Sequence, residues 1–157
     1  MSCKLISALL IMVVSVNCCA EILIRNVPRF DLANVNQSGL TETQAQALLV
    51  FSLKNEKYNV ELSGVFLDGS LKDKKGNLFH PGYFSFGVGY DSPSAGATDV
   101  WGLFSVSPVT GDIWEEYSCR RISFPALQKI QKGIMKKTGA TFASEVVQRR
   151  GLGCTDE

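Results

Sequence analysis

The sequence predicts an α+β fold: an antiparallel sheet of about four strands, covered by an N-terminal helix, with a C-terminal helix tied back by one disulfide. Three observations carry this. Apolar residues recur at helical spacing behind a capping box at Thr41, the period changes to two from Val60, and export leaves two of the five cysteines, Cys119 and Cys154. The chain has 157 residues, with 16 Lys plus Arg against 15 Asp plus Glu. That length suits one core, and the composition excludes collagen-like and disordered classes. Near-neutral charge without a basic, aromatic-interleaved stripe argues against nucleic acid as a partner.

Residues 1–20 read as a secretory signal, leaving 21–157 as a single domain. Lys4 supplies the positive start, Leu5 to Val16 the apolar stretch, and Cys18, Cys19 and Ala20 the small residues before a cut after Ala20. The apolar run is shorter than the roughly 20 residues of a membrane span, so no transmembrane anchor is expected after cleavage. Lipidation at Cys18 or Cys19 is the competing reading, weakened by Asn17, which is larger than the residue expected before an acylated cysteine. In an oxidising compartment, taken as the periplasm, a Cys119–Cys154 disulfide closes a loop of about 35 residues. It stabilises by about 3–4 kcal/mol in the chain-entropy model. A catalytic thiol at Cys119 would need a base, and the chain has one histidine, His80.

The lead-in, Glu21 to Gly39, reads as a strand or loop, and its Asn36-Gln37-Ser38 sequon as chance. Thr41 and Gln44 form a capping box, and Ala45, Leu48, Leu49, Ser52 and Leu53 set one face of a helix from about Glu42 to Glu56. Alternation over Val60 to Leu67 predicts a strand with Val60, Leu62, Gly64 and Phe66 on one side. Asp68 to Gly82 is turn chemistry, and its acidic spacing does not match a calcium loop. Tyr83 to Tyr90 is the clearest strand, with Phe84, Phe86, Val88 and Tyr90 on one face. Its other face carries Gly87 and Gly89, so either the first helix crosses there or a bulge bends the sheet. Asp91 to Asp99 reads as an exposed loop of small residues.

Trp101 to Ser107 and Ile113 to Cys119 predict a hairpin. A three-residue loop with left-handed Gly111 pairs Val106 with Trp114, Ser107 with Ile113, Leu103 with Tyr117 and Trp101 with Cys119. Ser123 is then expected to cap a helix through about Lys137, with Leu127, Ile130 and Ile134 inward and Lys129, Lys132 and Lys136 outward. Ala143 to Arg150 suggests a third, short helix. Charge is unevenly spread: residues 21–117 carry seven basic and twelve acidic side chains, and residues 118–153 carry eight and one.

Catalytic chemistry is thinly represented. No serine sits in a nucleophile-elbow pattern, one histidine and two bridged cysteines do not make a zinc set, and no cofactor-binding motif occurs, so no cofactor, no metal and no enzymatic activity are expected. Glu115 and Glu116, as strand neighbours, point to opposite faces and cannot act as an acid–base pair. What remains is recognition by exposed loops. The candidate partner-binding residues are Lys72, Asn77 and His80 in the lysine-rich loop, Asp91, Ser94 and Asp99 in the small-residue loop, and Thr110 and Asp112 at the hairpin tip.

A covering helix followed by an antiparallel meander, with a Thr110-Gly111-Asp112 hairpin, Trp114 and a disulfide cysteine, resembles small exported bacterial proteins of cystatin-like or NTF2-like architecture. The resemblance spans about residues 40–137. Such groups include periplasmic inhibitors and immunity proteins that neutralise cell-wall-degrading toxins. It therefore implies an inhibitor or immunity role toward a partner in the cell envelope, and the thin catalytic chemistry with exposed loops on a stapled scaffold adds that a loop plugs the partner's cleft. The alternatives are a small-molecule carrier, with a pocket between the Phe84, Phe86 and Val88 face and a helix, and a hydrolase using His80 with a serine or carboxylate.

Overall fold

The Thr41 hydroxyl accepts from the Gln44 amide at 3.3 Å and the Gln44 side chain accepts from the Thr41 amide at 2.8 Å, so the capping box closes and starts α1, Glu42–Asn55. The structure, a computed structural model, describes residues 22–92 and 94–154. The signal-peptide reading and its lipidation alternative lie outside the described residues. On α1, Ala45, Leu48, Leu49, Ser52 and Leu53 are all buried. Ala45, Leu48, Leu49 and Leu53 share one core with Phe86, Val88, Phe104, Val106 and Ile113 of the sheet and with Leu127 and Ile134 of a second helix. Each fully buried side chain of this kind stabilises by about 1.5–3 kcal/mol.

The sheet among the described residues has six antiparallel strands in sequence order: β1 Ile22–Leu23, β2 Val65–Leu67, β3 Phe84–Ser92, β4 Ala97–Val106, β5 Ile113–Glu115 and β6 Arg120–Arg121. The α+β class is as expected. The count exceeds about four because β1 and β6 are two-residue edges, too short to show a period. The strand expected over Val60 to Leu67 keeps only its last three residues. Gly64 has φ +101°, and a side chain there would meet the Asp91 carbonyl oxygen at 2.3 Å, so 60–64 turn instead and Leu62 is exposed.

β3 buries the predicted face, with Phe86 and Val88 inaccessible. The bulge alternative holds: Val88 faces Gly102 and Gly89 faces Val100, leaving Trp101 as the extra residue. The helix alternative does not, since α1 lies on the other face. The bare glycines instead admit side chains from β2 and the residue after it, with the Asp68 carboxylate over Gly87 and the Phe66 ring over Gly89.

The hairpin register differs from the expected one by a single residue. Val106 pairs with Ile113, Ser105 with Trp114 and Phe104 with Glu115. The Ser107 N–H donates to Asp112 O and the Gly111 N–H to Ser107 O, so four residues, 108–111, close the turn. Gly111 is left-handed as expected, φ +69°, but the loop is one residue longer. A one-residue slip moves every side chain to the other face. Ile113 therefore joins the helix-side core and Trp114 the opposite face. The expected Leu103–Tyr117 and Trp101–Cys119 pairs do not form: β5 ends at Glu115, and residues 116–119 turn into β6 with Cys119 at φ +50°.

The second helix, α2, spans Pro125–Thr138, and Phe124, not Ser123, is its N-cap. The Ser123 hydroxyl instead accepts from the Gln128 side chain at 2.9 Å, and Pro125 presets the first turn. Leu127 and Ile134 are buried, with Lys129, Lys132 and Lys136 exposed. A 3-10 turn, Phe142–Glu145, leads into α3, Val146–Arg150. The Cys119–Cys154 disulfide, Cα to Cα 4.9 Å, then fastens the chain end beside β6. Among the described residues no helix is long and apolar enough to cross a membrane.

Candidate functional site

The sheet face away from α1 divides into a covered end, a polar centre and a projecting end. At the covered end the C-terminal segment lies across the β4–β5 turn. Tyr83, Trp114, Leu152 and Cys154 form a second buried cluster there. Asp112 is fully buried. It accepts from the Trp114 indole N–H at 3.0 Å and the Arg121 Nε–H at 2.6 Å, with Arg149 Nε at 3.9 Å. Glu145, also buried, accepts from the Ser107 and Thr110 hydroxyls. Burial pushes its carboxyl above the ordinary value, against the pull of those two hydroxyls. The expectation of an exposed hairpin tip at Thr110 and Asp112 is therefore corrected. Both are inaccessible because α2 also closes over the turn, with the Gln131 side chain donating to Gly111 O and the Thr138 hydroxyl to Val109 O.

At the centre, His80 Nε2 lies 3.0 Å from Glu116 Oε2. The other carboxylate oxygen accepts from the Ser105 hydroxyl at 2.5 Å and the Ser85 hydroxyl at 3.3 Å. Serine, carboxylate and imidazole meet here, but in an order that does not suit hydrolysis. A nucleophilic serine needs the imidazole against its own hydroxyl, with the carboxylate behind the imidazole. Here the carboxylate stands between, and both serines are buried. The contact anchors the end of the 68–82 loop to the sheet. Glu115 points the other way and accepts from the Tyr117 and Ser118 amides. Among the described residues no three metal-ligating side chains gather to hold an ion.

The loop itself is ordered locally. Asp73 accepts from the Lys75 and Asn77 amides and the Asn77 side chain, and the Asn77 bonds hold its carboxyl below the ordinary value. Lys72 pairs with Leu78 in a single bridge and lies 3.8 Å from Glu42 of α1. Next to His80, Phe79 is more than half exposed.

At the projecting end, β3 and β4 outrun their neighbours. β2 pairs only as far as Tyr90, and β5 pairs only with Phe104 to Val106. Residues 91–92 and 97–100 thus extend as a two-stranded ribbon, with Asp91 opposite Thr98 and Ser92 opposite Ala97. Of the loop expected over Asp91 to Asp99, only 94–96 turn among the described residues. Asp91 and Asp99 lie in the strands, and Ser94 lies in the turn. The Thr98 hydroxyl donates to the Asp91 carboxylate at 2.5 Å. Residues 94–100 are all exposed, including Val100 at 62%. Reading the sequence alone missed Val100 and the partners of His80. Val100 carries a signal, an apolar residue bordering a Ser/Gly/Ala/Asp stretch; Glu116, 36 positions from His80, carries none.

The carrier alternative needs a cavity against Phe84, Phe86 and Val88. Phe86 and Val88 are packed solid in the core, and a groove of about 290 Å³ instead lies between the lead-in and the helices, lined by Val27, Phe30, Val50, Phe51 and Ile130 among others.

The ribbon, the His80–Glu116 contact and the buried turn all fall within residues 39–146, the stretch matched by the model of a family described as T6SS, Immunity protein Tgi2PP. A solved structure of a type VI secretion system effector–immunity complex from Pseudomonas protegens holds a chain 47% identical to this one. The match covers 81% of this chain and 99% of that chain, with a TM-score of 0.77. No curated protein matches. With the family model matching well over half of its length, this chain belongs to the Tgi2PP family of type VI secretion system immunity proteins.

Proposed function

We propose that this protein is exported to the periplasm, binds a secreted effector there, and blocks the effector's cleft with the β3–β4 ribbon, without chemistry of its own. The observation that carries this reading is the exposed stretch 94–100 beyond the ends of β2 and β5, made of small residues and ending in Val100. A ribbon of this kind enters a cleft that a compact surface cannot. Asp91, Ser94 and Asp99 lie on it, and Lys72, Asn77 and His80 belong to a second contact loop. Thr110 and Asp112 serve the fold. The effector–immunity complex that contains the similar chain supports an effector as the partner. The disulfide supports an oxidising compartment, and the resemblance to exported immunity proteins supports a cell-wall-degrading target.

The test is calorimetry and size-exclusion chromatography of the mature chain with the effector recovered by co-purification from producing cells. A one-to-one complex in which the effector loses activity is expected. A complex that leaves the effector fully active would overturn the blocking role.

A further inference from the structure

Resting on that reading, we propose that the ribbon grips its partner by main-chain pairing: the free edge of β4 over residues 97–100 receives an extended segment of the effector, and a Lys or Arg of that segment lies beside Asp99. Three observations lead there. β5 pairs with β4 only from Phe104 to Val106, and beyond it the Glu116 N–H reaches Leu103 O. Among the described residues no strand pairs with 97–102 on that side. Next, the Asp91 N–H donates across to Gly64 O at 2.9 Å, away from β4. In an antiparallel ladder, facing residues alternate between exchanging both main-chain bonds and exchanging none. Asp91 and Thr98 are therefore a pair that exchanges none, and the N–H and C=O of Thr98 point out to the free edge. The close Thr98–Asp91 side-chain contact is the geometry of such a pair.

The third observation is charge. Exposed strand edges are normally blunted with lysine or proline, yet residues 97–102 hold neither, and no Lys or Arg occurs from 91 to 102. Asp91 and Asp99 give the ribbon two carboxylates. Pairing with a second copy about this stretch would bring the two Asp99 carboxylates onto the same or adjoining rungs, where like charges destabilise. An effector segment carrying a cation meets the same edge with complementary charge. Main-chain bonds then supply affinity and the side chain at Asp99 supplies selection.

Amide hydrogen exchange by NMR, on the wild-type chain alone and with the co-purified effector, tests this. The Thr98 amide exchanges fast in the free protein and at least about tenfold more slowly in the complex. Thr98→Pro, which removes the outward donor and leaves the β3 ladder intact, weakens binding about ten- to hundredfold. Thr98→Val, which keeps the N–H and loses the hydroxyl, stays within about threefold. A complex in which the Thr98 amide exchanges as in the free chain, or Thr98→Pro binding like wild type, overturns strand addition and leaves the blocking role standing. No complex with the wild-type chain overturns both. A dimer of the chain alone that Thr98→Pro dissolves assigns the edge to a second copy and overturns the proposal.

Discussion

Trp114 donates its indole N–H to the carboxylate of Asp112, two residues back along the β4–β5 hairpin, at 3.0 Å and out of reach of water. Arg121 and Arg149 approach the same carboxylate from β6 and α3. One side chain thus holds the turn, the last strand and the C-terminal helix together. Removing it leaves the Arg121 guanidinium and the Trp114 indole N–H without this acceptor and takes the opposite charge from beside Arg149. Asp112→Ala is expected to cost about 3–5 kcal/mol in urea unfolding, and Asp112→Asn clearly less, because an amide oxygen still accepts.

Glu145 sets a pH dependence of known sign. Burial raises its folded-state pKa above the ordinary glutamate value of 4.5. Between those two values the folded chain holds more protons than the unfolded one, so this group's contribution declines as pH rises through the window. Glu145→Gln removes the charge. The thermal midpoint of the variant minus that of wild type is expected to grow from pH 4 to pH 8, and a constant offset would contradict the assignment.

The disulfide fastens the segment that supplies Glu145 and Arg149 to the sheet. Replacing Cys119 and Cys154 together by serine is expected to lower stability by about 2–5 kcal/mol, read in urea without reductant. Reductant is expected to move wild type to the variant's midpoint and leave the variant unchanged.

His80 pins the 68–82 loop through Glu116. His80→Ala leaves the carboxylate with its two serine donors and is expected to cost about 1–3 kcal/mol. Faster amide exchange is expected at Asp73 to Asn77, with the ribbon unaffected.

Local signals in the sequence were enough for the capping box, the buried face of α1, the β3 alternation and the cysteine pair. Each depends on residues close together in the chain or on the arithmetic of export. The hairpin register was not legible, because it turns on whether Pro108 to Gly111 close the loop with three residues or four. The edge strands β1 and β6 are shorter than any period. Thr110 and Asp112 look like surface turn residues until Glu145 and Arg149, more than 30 positions later, arrive to pair with them. The ribbon was legible as an exposed stretch of small residues and not as a pair of strands, since Asp, Ser and Gly have little strand preference and only the ladder to β4 reveals them. His80 stood out by being alone of its kind, yet its chemistry is set by Glu116 and two serines that no motif connects to it.

The most direct test of the central claim compares two exposed valines at opposite ends of the molecule, Val100 on the ribbon and Val147 on α3, at 62% and 76% exposure. Neither supports the core, so aspartate at either position is expected to change stability by less than about 0.5 kcal/mol. Calorimetric titration with the effector reads the difference. Val100→Asp is predicted to weaken binding about thirtyfold or more and to abolish protection of effector-exposed cells, while Val147→Asp leaves both as in wild type. Full affinity and protection in Val100→Asp, or loss of both in Val147→Asp alone, would contradict a ribbon that blocks the effector's cleft.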